Sequence, residues 1–209
     1  STEVPSMLDK TLLTYTKPVL SKLAKLALNA GISANSASII GFIFGIVAAW
    51  LVCFGYFLLA LICFMLNRIF DGLDGAIARK LRPTHRGAFV DIVFDFIIYS
   101  SIPFAFAVYK EEHSFVACFL IFSFVGTGTS FLAYAIIHGQ IQNKNKYQNC
   151  EKGFYYLDGL IEGSETIFFI ILILLFPSLF TYIGILFGSL CWFTTIFRIR
   201  AGWRDFSLK

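Results

Sequence analysis

The sequence predicts an all-α, polytopic integral membrane protein with six transmembrane helices, preceded by an N-terminal amphipathic helix at the interface. Three observations carry this expectation. Hydrophobic residues fill 57% of the 209 positions and charged residues only 14%, about half the charged share of a soluble domain. Apolar runs recur at lengths near the roughly 20 residues that a helix needs to cross a bilayer. Helix is the regular structure these runs support, because an open strand leaves its backbone polar groups unpaired in lipid. A mean hydropathy of +0.75 and 25 phenylalanines exclude a soluble globule, a disordered chain and a disulfide scaffold.

Residues 6–30 place Leu8, Leu12, Leu13, Val19, Leu20, Leu23 and Leu26 among Lys10, Lys17, Lys22 and Lys25. A basic amphipathic helix of this kind is too charged to span. It lies on the membrane surface or packs on the protein's own cytosolic face. Residues 1–30 contain no compact apolar stretch of the sort a signal peptide needs. The first spanning run is 38–54, and a Gly55–Tyr56 turn leads into 57–70, which continues as helix through Ala78. The short connection that follows makes the second and third runs antiparallel neighbours. The third run is 87–109 and the fourth 114–137, followed by a polar stretch over 139–158. The fifth, 166–176, is extended backward by 160–165 and punctuated by Pro177 and Ser178. The sixth is 180–197. The whole chain, 1–209, reads as one domain without sequence repeats.

Orientation follows from lysine and arginine, which favour the cytoplasmic side. Lys10, Lys17, Lys22 and Lys25 precede the first run. Arg79, Lys80, Arg82 and Arg86 join the second to the third, and Lys144, Lys146 and Lys152 join the fourth to the fifth. Arg198, Arg200, Arg204 and Lys209 follow the sixth. Only Lys110 lies in an opposite connection, and Arg68 falls within the second run. Both termini are therefore expected in the cytoplasm. A net charge of +4 is too small and scattered for nucleic acid. The five cysteines show no CxxC spacing; four lie in apolar stretches and read as small hydrophobes, and the set reads as neither a disulfide nor a zinc framework. The three histidines, His85, His113 and His138, read as surface residues. Trp50, Trp192 and Trp203 read as interfacial or packing aromatics. The pairs Gly41/Gly45, Gly126/Gly128 and Gly184/Gly188 permit close helix packing, and the Ser and Thr residues of 122–130 serve interhelical hydrogen bonds.

Four carboxylates stand out, because ionisable groups in membrane helices are costly. Asp71 and Asp74 are spaced i, i+3, and Asp91 and Asp95 i, i+4, so each pair shares one helix face. Facing each other, the pairs form a cage of four like charges that calls for a neutralising cation. All donors are hard oxygens, which favours magnesium or manganese over zinc or copper. Four carboxylates suit two ions a few ångströms apart, an arrangement that stabilises the oxygens of phosphoryl transfer. The competing reading pairs the same Asps with Arg68, Arg79 and Arg86 as a neutral ion cluster. Gly72, Gly75, Ala76, Ala78, Gly87 and Ala88 leave the corner small-sided. Gly75 weakens its helix by about 1 kcal/mol relative to alanine, which a closely approaching ligand compensates. Arg79, one turn on, is placed for a phosphate. Asn67, one turn before Asp71, either contacts the ligand or bonds a neighbouring helix.

Asp71-Gly-Leu-Asp74-Gly75-Ala-Ile-Ala78-Arg79, seven further residues, then Gly87-x3-Asp91-x3-Asp95 resembles the signature of the CDP-alcohol phosphotransferase family at all eight fixed positions. The six-helix plan and the amphipathic N-terminal helix agree with that family, so the resemblance extends over nearly the whole chain. It is strongest to the small bacterial branch. Asn35 is retained at the entry to the first helix, with Ala34 in place of the usual proline. The resemblance implies a catalytic motif over 67–95, with Asp71, Asp74, Asp91 and Asp95 binding two Mg2+ ions, or Mn2+, and Asp95 also acting as general base. Gly75, Ala78 and Gly87 make room for the cytidine, and Arg79 holds the diphosphate. The implied reaction transfers a phosphatidyl group from CDP-diacylglycerol to the hydroxyl of a small alcohol and releases CMP. The implied setting is a homodimer in a bacterial inner membrane, with the active site at the cytoplasmic face.

The segment 154–166 carries Glu162 and Glu165 at the entry of the fifth run. Asp158-Gly-Leu-Ile-Glu162-Gly163 is similar to a segment of eukaryotic choline/ethanolamine phosphotransferases, and the same stretch has some likeness to phosphatidylserine synthases. Two glutamates can receive an ammonium group, which keeps open a CDP-amino alcohol donor with diacylglycerol as acceptor. Acids that stabilise a helix N-terminus are the plainer reading. A membrane prenyltransferase would place its two Asp motifs far apart in a longer chain. A cation transporter would show repeats and midplane sites. Neither pattern occurs here.

Overall fold

The computed structural model describes residues 20–29, 31, 33–81, 83–144 and 163–206. Among the described residues the chain is helical, without strands. Residues 20–29 form α1, followed by α2 (Ala34–Cys53), α3 (Phe57–Leu81), α4 (His85–Tyr109), α5 (Ser114–Lys144), α6 (Gly163–Leu175) and α7 (Phe180–Phe206). Single 3-10 turns at Glu111–His113 and Pro177–Leu179 precede α5 and α7. Among the described residues, four segments are long and apolar enough to cross a membrane: Ala34–Cys53, His85–Tyr109, Glu111–Gly139 and Pro177–Phe206. α3 has the length but carries Arg68 near its middle and Asp71 and Asp74 beyond it. α6 is apolar but has only 13 residues, about 20 Å of helix.

Local chemistry fixes the helix boundaries. The Ser33 side chain accepts from the Ser36 N–H at the start of α2, and Thr84 accepts from the Gly87 N–H at 3.1 Å at the start of α4. Both satisfy backbone donors that a helix start leaves open. The turn between α2 and α3 needs Gly55, whose φ of +78° disfavours a side chain. The helices outrun the apolar stretches: α5 continues past Ile137 to Lys144, and α7 past Phe197 to Phe206. Apolarity ends where lipid ends, whereas a helix does not have to.

The main core joins α2–α7 around Phe64, Ile98, Phe106, Leu120, Ile173 and Phe180, with the rings of Phe106 and Phe180 stacked at 4.1 Å. Gly184 and Gly188 let α5 approach α7. A Cβ at either would stand 2.6 Å from Val116 or 2.5 Å from Phe119. Thr127 adds a bond to the Cys191 carbonyl at 3.2 Å. Two expectations change here, and the choice left open for the N-terminal helix narrows. His113 is buried against Phe106 and Phe180 instead of lying on the surface. Arg198 is buried within α7 and donates to the Thr127 carbonyl at 3.0 Å, so it is not a loop charge. The described end of the N-terminal helix is docked on the protein. Ala24 and Ala27 pack with Ala37, Leu73, Ala76 and Ile77, and Lys80 Nζ donates to the Ser21 carbonyl at 2.8 Å. Lys22, Leu23, Lys25 and Leu26 face outward. Residues 6–19 lie outside the described residues.

Candidate active site

α2 packs against both α3 and α4, whose own backbones largely stay apart despite their short connection. The antiparallel pair expected from sequence is thus wedged open, with α2 as its third wall. The result is an open cleft with Ser38, Gly41 and Phe42 on α2, Asn67, Arg68, Asp71 and Asp74 on α3, and Asp91, Phe94 and Asp95 on α4. Asp71 lies ten residues before the end of α3, about 15 Å along the axis.

The helical period aims the carboxylates as expected. Asp71, Asp74 and Asp91 bring one oxygen each within 4.8 Å of one another. Asp74 is buried and Asp91 exposed, so the cluster runs from the protein interior to the cleft mouth. The Ser38 hydroxyl donates to Asp74 and ties α2 to the cluster. Asp95 stands apart from the other three. Its Oδ1 accepts from Arg68 Nη2 at 2.8 Å, and its Oδ2 accepts weakly from the Tyr99 hydroxyl at 3.4 Å.

Arg68 organises this side of the cleft. Its Nη1 donates to the Tyr99 hydroxyl at 3.0 Å and reaches Asp71 Oδ2 at 3.5 Å. Its Nε donates to Asn67 Oδ1 at 2.7 Å, and the guanidinium lies over the rings of Phe64 and Tyr99. The ion pairs of the competing sequence reading therefore exist for Arg68, but not, among the described residues, for Arg79 or Arg86. Asn67 is buried, and its Nδ2 donates to the Gly41 carbonyl at 2.9 Å. It makes the interhelical bond, with both ends of its amide engaged.

Gly75, Ala78 and Gly87 are half-buried, and Arg79 is exposed. The Arg79 guanidinium folds back over Gly75, where a Cβ would sit 3.3 Å from Nη1. Among the described residues, the nearest atoms to such a Cβ all belong to Arg79. Glu165 lies in the first turn of α6, accepts from Ser164 Oγ at 3.2 Å and does not line the cleft. Glu162 lies outside the described residues. Sequence reasoning missed Ser38, Tyr99 and the Phe42–Phe94 stack, with ring centroids 4.1 Å apart. Tyr99 had a signal, since it follows Asp95 by four residues and shares its face.

The donor set fits a hard divalent cation. Three converging carboxylates, with no His or Cys among them, repel one another and suit an oxygen-seeking ion. One arginine offsets only part of their charge.

Known proteins resemble this chain in sequence and in fold. A sequence profile described as CDP-alcohol phosphatidyltransferase matches residues 32–199. Inner membrane protein YnjF of Escherichia coli is 40% identical over 198 residues, 94% of this chain and 96% of that protein. A phosphatidylcholine synthase of Mesorhizobium japonicum is 42% identical over 72 residues, 32% of this chain and 22% of that enzyme. Two structures of Mycobacterium tuberculosis phosphatidylinositol phosphate synthase PgsA1 share the fold at 18% identity. The form with CDP-DAG bound gives a TM-score of 0.66 over 89% of this chain and 94% of that one. The form with manganese and citrate gives 0.63 over 88% of each. With the profile spanning most of the sequence and YnjF related over nearly its full length, the chain is a multi-pass membrane enzyme that belongs to the CDP-alcohol phosphatidyltransferase family.

Proposed function

We propose that the protein transfers a phosphatidyl group from CDP-diacylglycerol to the hydroxyl of a small alcohol, releasing CMP. The observation that carries this reading is the convergence of Asp71, Asp74 and Asp91 oxygens at the mouth of the cleft in a chain of this family. Asp71, Asp74, Asp91 and Asp95 hold two Mg2+ ions, for which Mn2+ can substitute. Bound there, the ions supply charge neutralisation for the diphosphate and for departing CMP. Asp95 accepts the proton of the alcohol as its oxygen attacks the phosphorus and the phosphoanhydride bond to CMP breaks. Its Oδ2, held only at 3.4 Å by Tyr99, is the oxygen available for this. Gly75, Ala78 and Gly87 leave space for the cytidine, with Asn67 buttressing the wall.

The exposed Arg79 swings from Gly75 to the diphosphate. Arg79→Ala should weaken CMP and CDP-diacylglycerol binding by about 10-fold or more, the scale of a lost charge-assisted pair. Unchanged affinity would remove Arg79 from this role.

The chain works as one domain, a homodimer in a bacterial inner membrane. α3 and α6 complete six crossings with the four longer spans, and both termini and the cleft face the cytoplasm. The cluster of Arg79, Lys80, Arg82 and Arg86 at the α3–α4 end supports this orientation. Of the two glutamates, Glu162 is the one proposed to receive the acceptor, since Glu165 does not line the cleft. The partial likeness to phosphatidylcholine synthases supports choline as the first alcohol to try. The test is CMP release by the protein in lipid nanodiscs, given CDP-diacylglycerol and a pool of alcohols with magnesium or EDTA. Magnesium-dependent release that needs one alcohol is expected. Silence with every alcohol contradicts the reading, and CMP release from CDP-choline or CDP-ethanolamine with diacylglycerol would establish the amino-alcohol donor in its place.

A further inference from the structure

We propose that Arg68 is a built-in counter-ion of the acidic cluster, a positioning residue that holds Asp95 and the edge of Asp71 in competition with a divalent cation. This rests on the reading of the cluster as a divalent-cation site.

Arg68 is not one of the eight motif positions, and its burial is unusual for its charge. Its side chain is 8% exposed, and all of its hydrogen bonds and ion pairs are made within the cleft or its wall. The guanidinium bridges α3 to α4 where the two backbones stay apart. One edge takes Asp95, the other takes the Tyr99 hydroxyl and Asp71, and Nε is anchored by Asn67. A planar fork with fixed donors suits such a bridge. Among the described residues it is the only cation paired with any of the four carboxylates.

Its contacts are graded. The bond to Asp95 is short at 2.8 Å, whereas the contact to Asp71, at 3.5 Å, is longer than an ordinary hydrogen bond. Asp71 also belongs to the convergent trio. A divalent ion drawing on Asp71 therefore loosens the weaker contact first and meets the repulsion of a fixed positive charge beside it. Removing that charge must strengthen divalent binding and leave the cation-free cluster without an internal counter-ion. Removing only the shape of the guanidinium must do neither to the same degree.

The full chain in nanodiscs, stripped with EDTA, separates these effects. Mn2+ binding is followed by loss of the free-ion EPR signal, and thermal midpoints are measured in EDTA and in excess Mn2+. Arg68→Gln is expected to bind Mn2+ at least about 10-fold more tightly than wild type. Mn2+ should also raise its midpoint by more than it raises that of the wild type. Arg68→Lys, which keeps the charge, is expected to stay within about 3-fold of wild type. Equal or weaker Mn2+ binding by Arg68→Gln overturns the proposal, as does an equal shift in both variants, which reports lost packing. If Arg68→Gln does not fold, Arg68→Met, which also removes the charge, should tighten Mn2+ binding by at least about 10-fold; no change overturns the proposal. Absence of Mn2+ binding by wild type and variants alike defeats the cation-site reading, and this proposal with it. Mn2+ binding by wild type with unmoved variants defeats the proposal alone.

Discussion

Asp95→Asn should reduce CMP release by about 100-fold to 10,000-fold, the usual range for losing a general base, while CDP-diacylglycerol still binds within about 3-fold of wild type. Asparagine matches aspartate in size and keeps an acceptor oxygen for Arg68, so the bridge between α3 and α4 is largely preserved. What it lacks is the capacity to take a proton from the incoming hydroxyl. The result to compare is Asp74→Asn, which perturbs the convergent trio and should weaken Mn2+ binding as well as turnover. Single-turnover rates and lipid-binding isotherms on the two variants separate the roles. Full activity of Asp95→Asn would take the base role from this residue.

Gly41→Val should disturb both the stability of the protein and the geometry of the cleft. A Cβ at Gly41 would stand 3.0 Å from Phe70 Cβ, 3.4 Å from the Asn67 carbonyl oxygen and 3.7 Å from the Asp71 N–H nitrogen. These atoms belong to the α3 backbone or sit directly on it, so no side-chain rotation relieves the crowding. α2 must move away from α3, and the Asn67 bond to the Gly41 carbonyl must stretch with it. Overpacking of this kind costs about 1–3 kcal/mol. The displaced wall also carries Ser38, the partner of Asp74. A lower thermal midpoint and at least about 10-fold slower CMP release are expected. Gly139→Ala, which meets nothing within 4 Å, is the control that should leave both unchanged. Normal stability and turnover in Gly41→Val would refute the tight α2–α3 seam.

The parts of this site legible in sequence are those set by one helix's own period. Asp71 with Asp74, and Asp91 with Asp95, share faces because of fixed offsets along a helix, and the small residues at 75, 78 and 87 mark open surface in the same way. Contacts between helices were not legible. Arg68 meets Tyr99 and Asp95 across 31 and 27 positions, a pairing set by how α2 wedges α3 from α4. An arginine inside an apolar run signals a buried partner, but it does not name the partner. Ser38 looked like the polar head of a spanning run until α2 packing brought it to Asp74. Arg198 looked like a tail charge because apolarity stops at Phe197, yet α7 continues and buries it against α5. His113 was read from its loop position, while the turn at Glu111–His113 directs it into the aromatic core.

The most direct measurement is anomalous X-ray diffraction from crystals grown with Mn2+ and CMP. Manganese peaks bonded to the carboxylate oxygens of Asp71, Asp74 and Asp91, with CMP phosphate beside them, are the expected result. Manganese absent from that cluster, or bound elsewhere while the cluster stays closed by Arg68, would contradict the account.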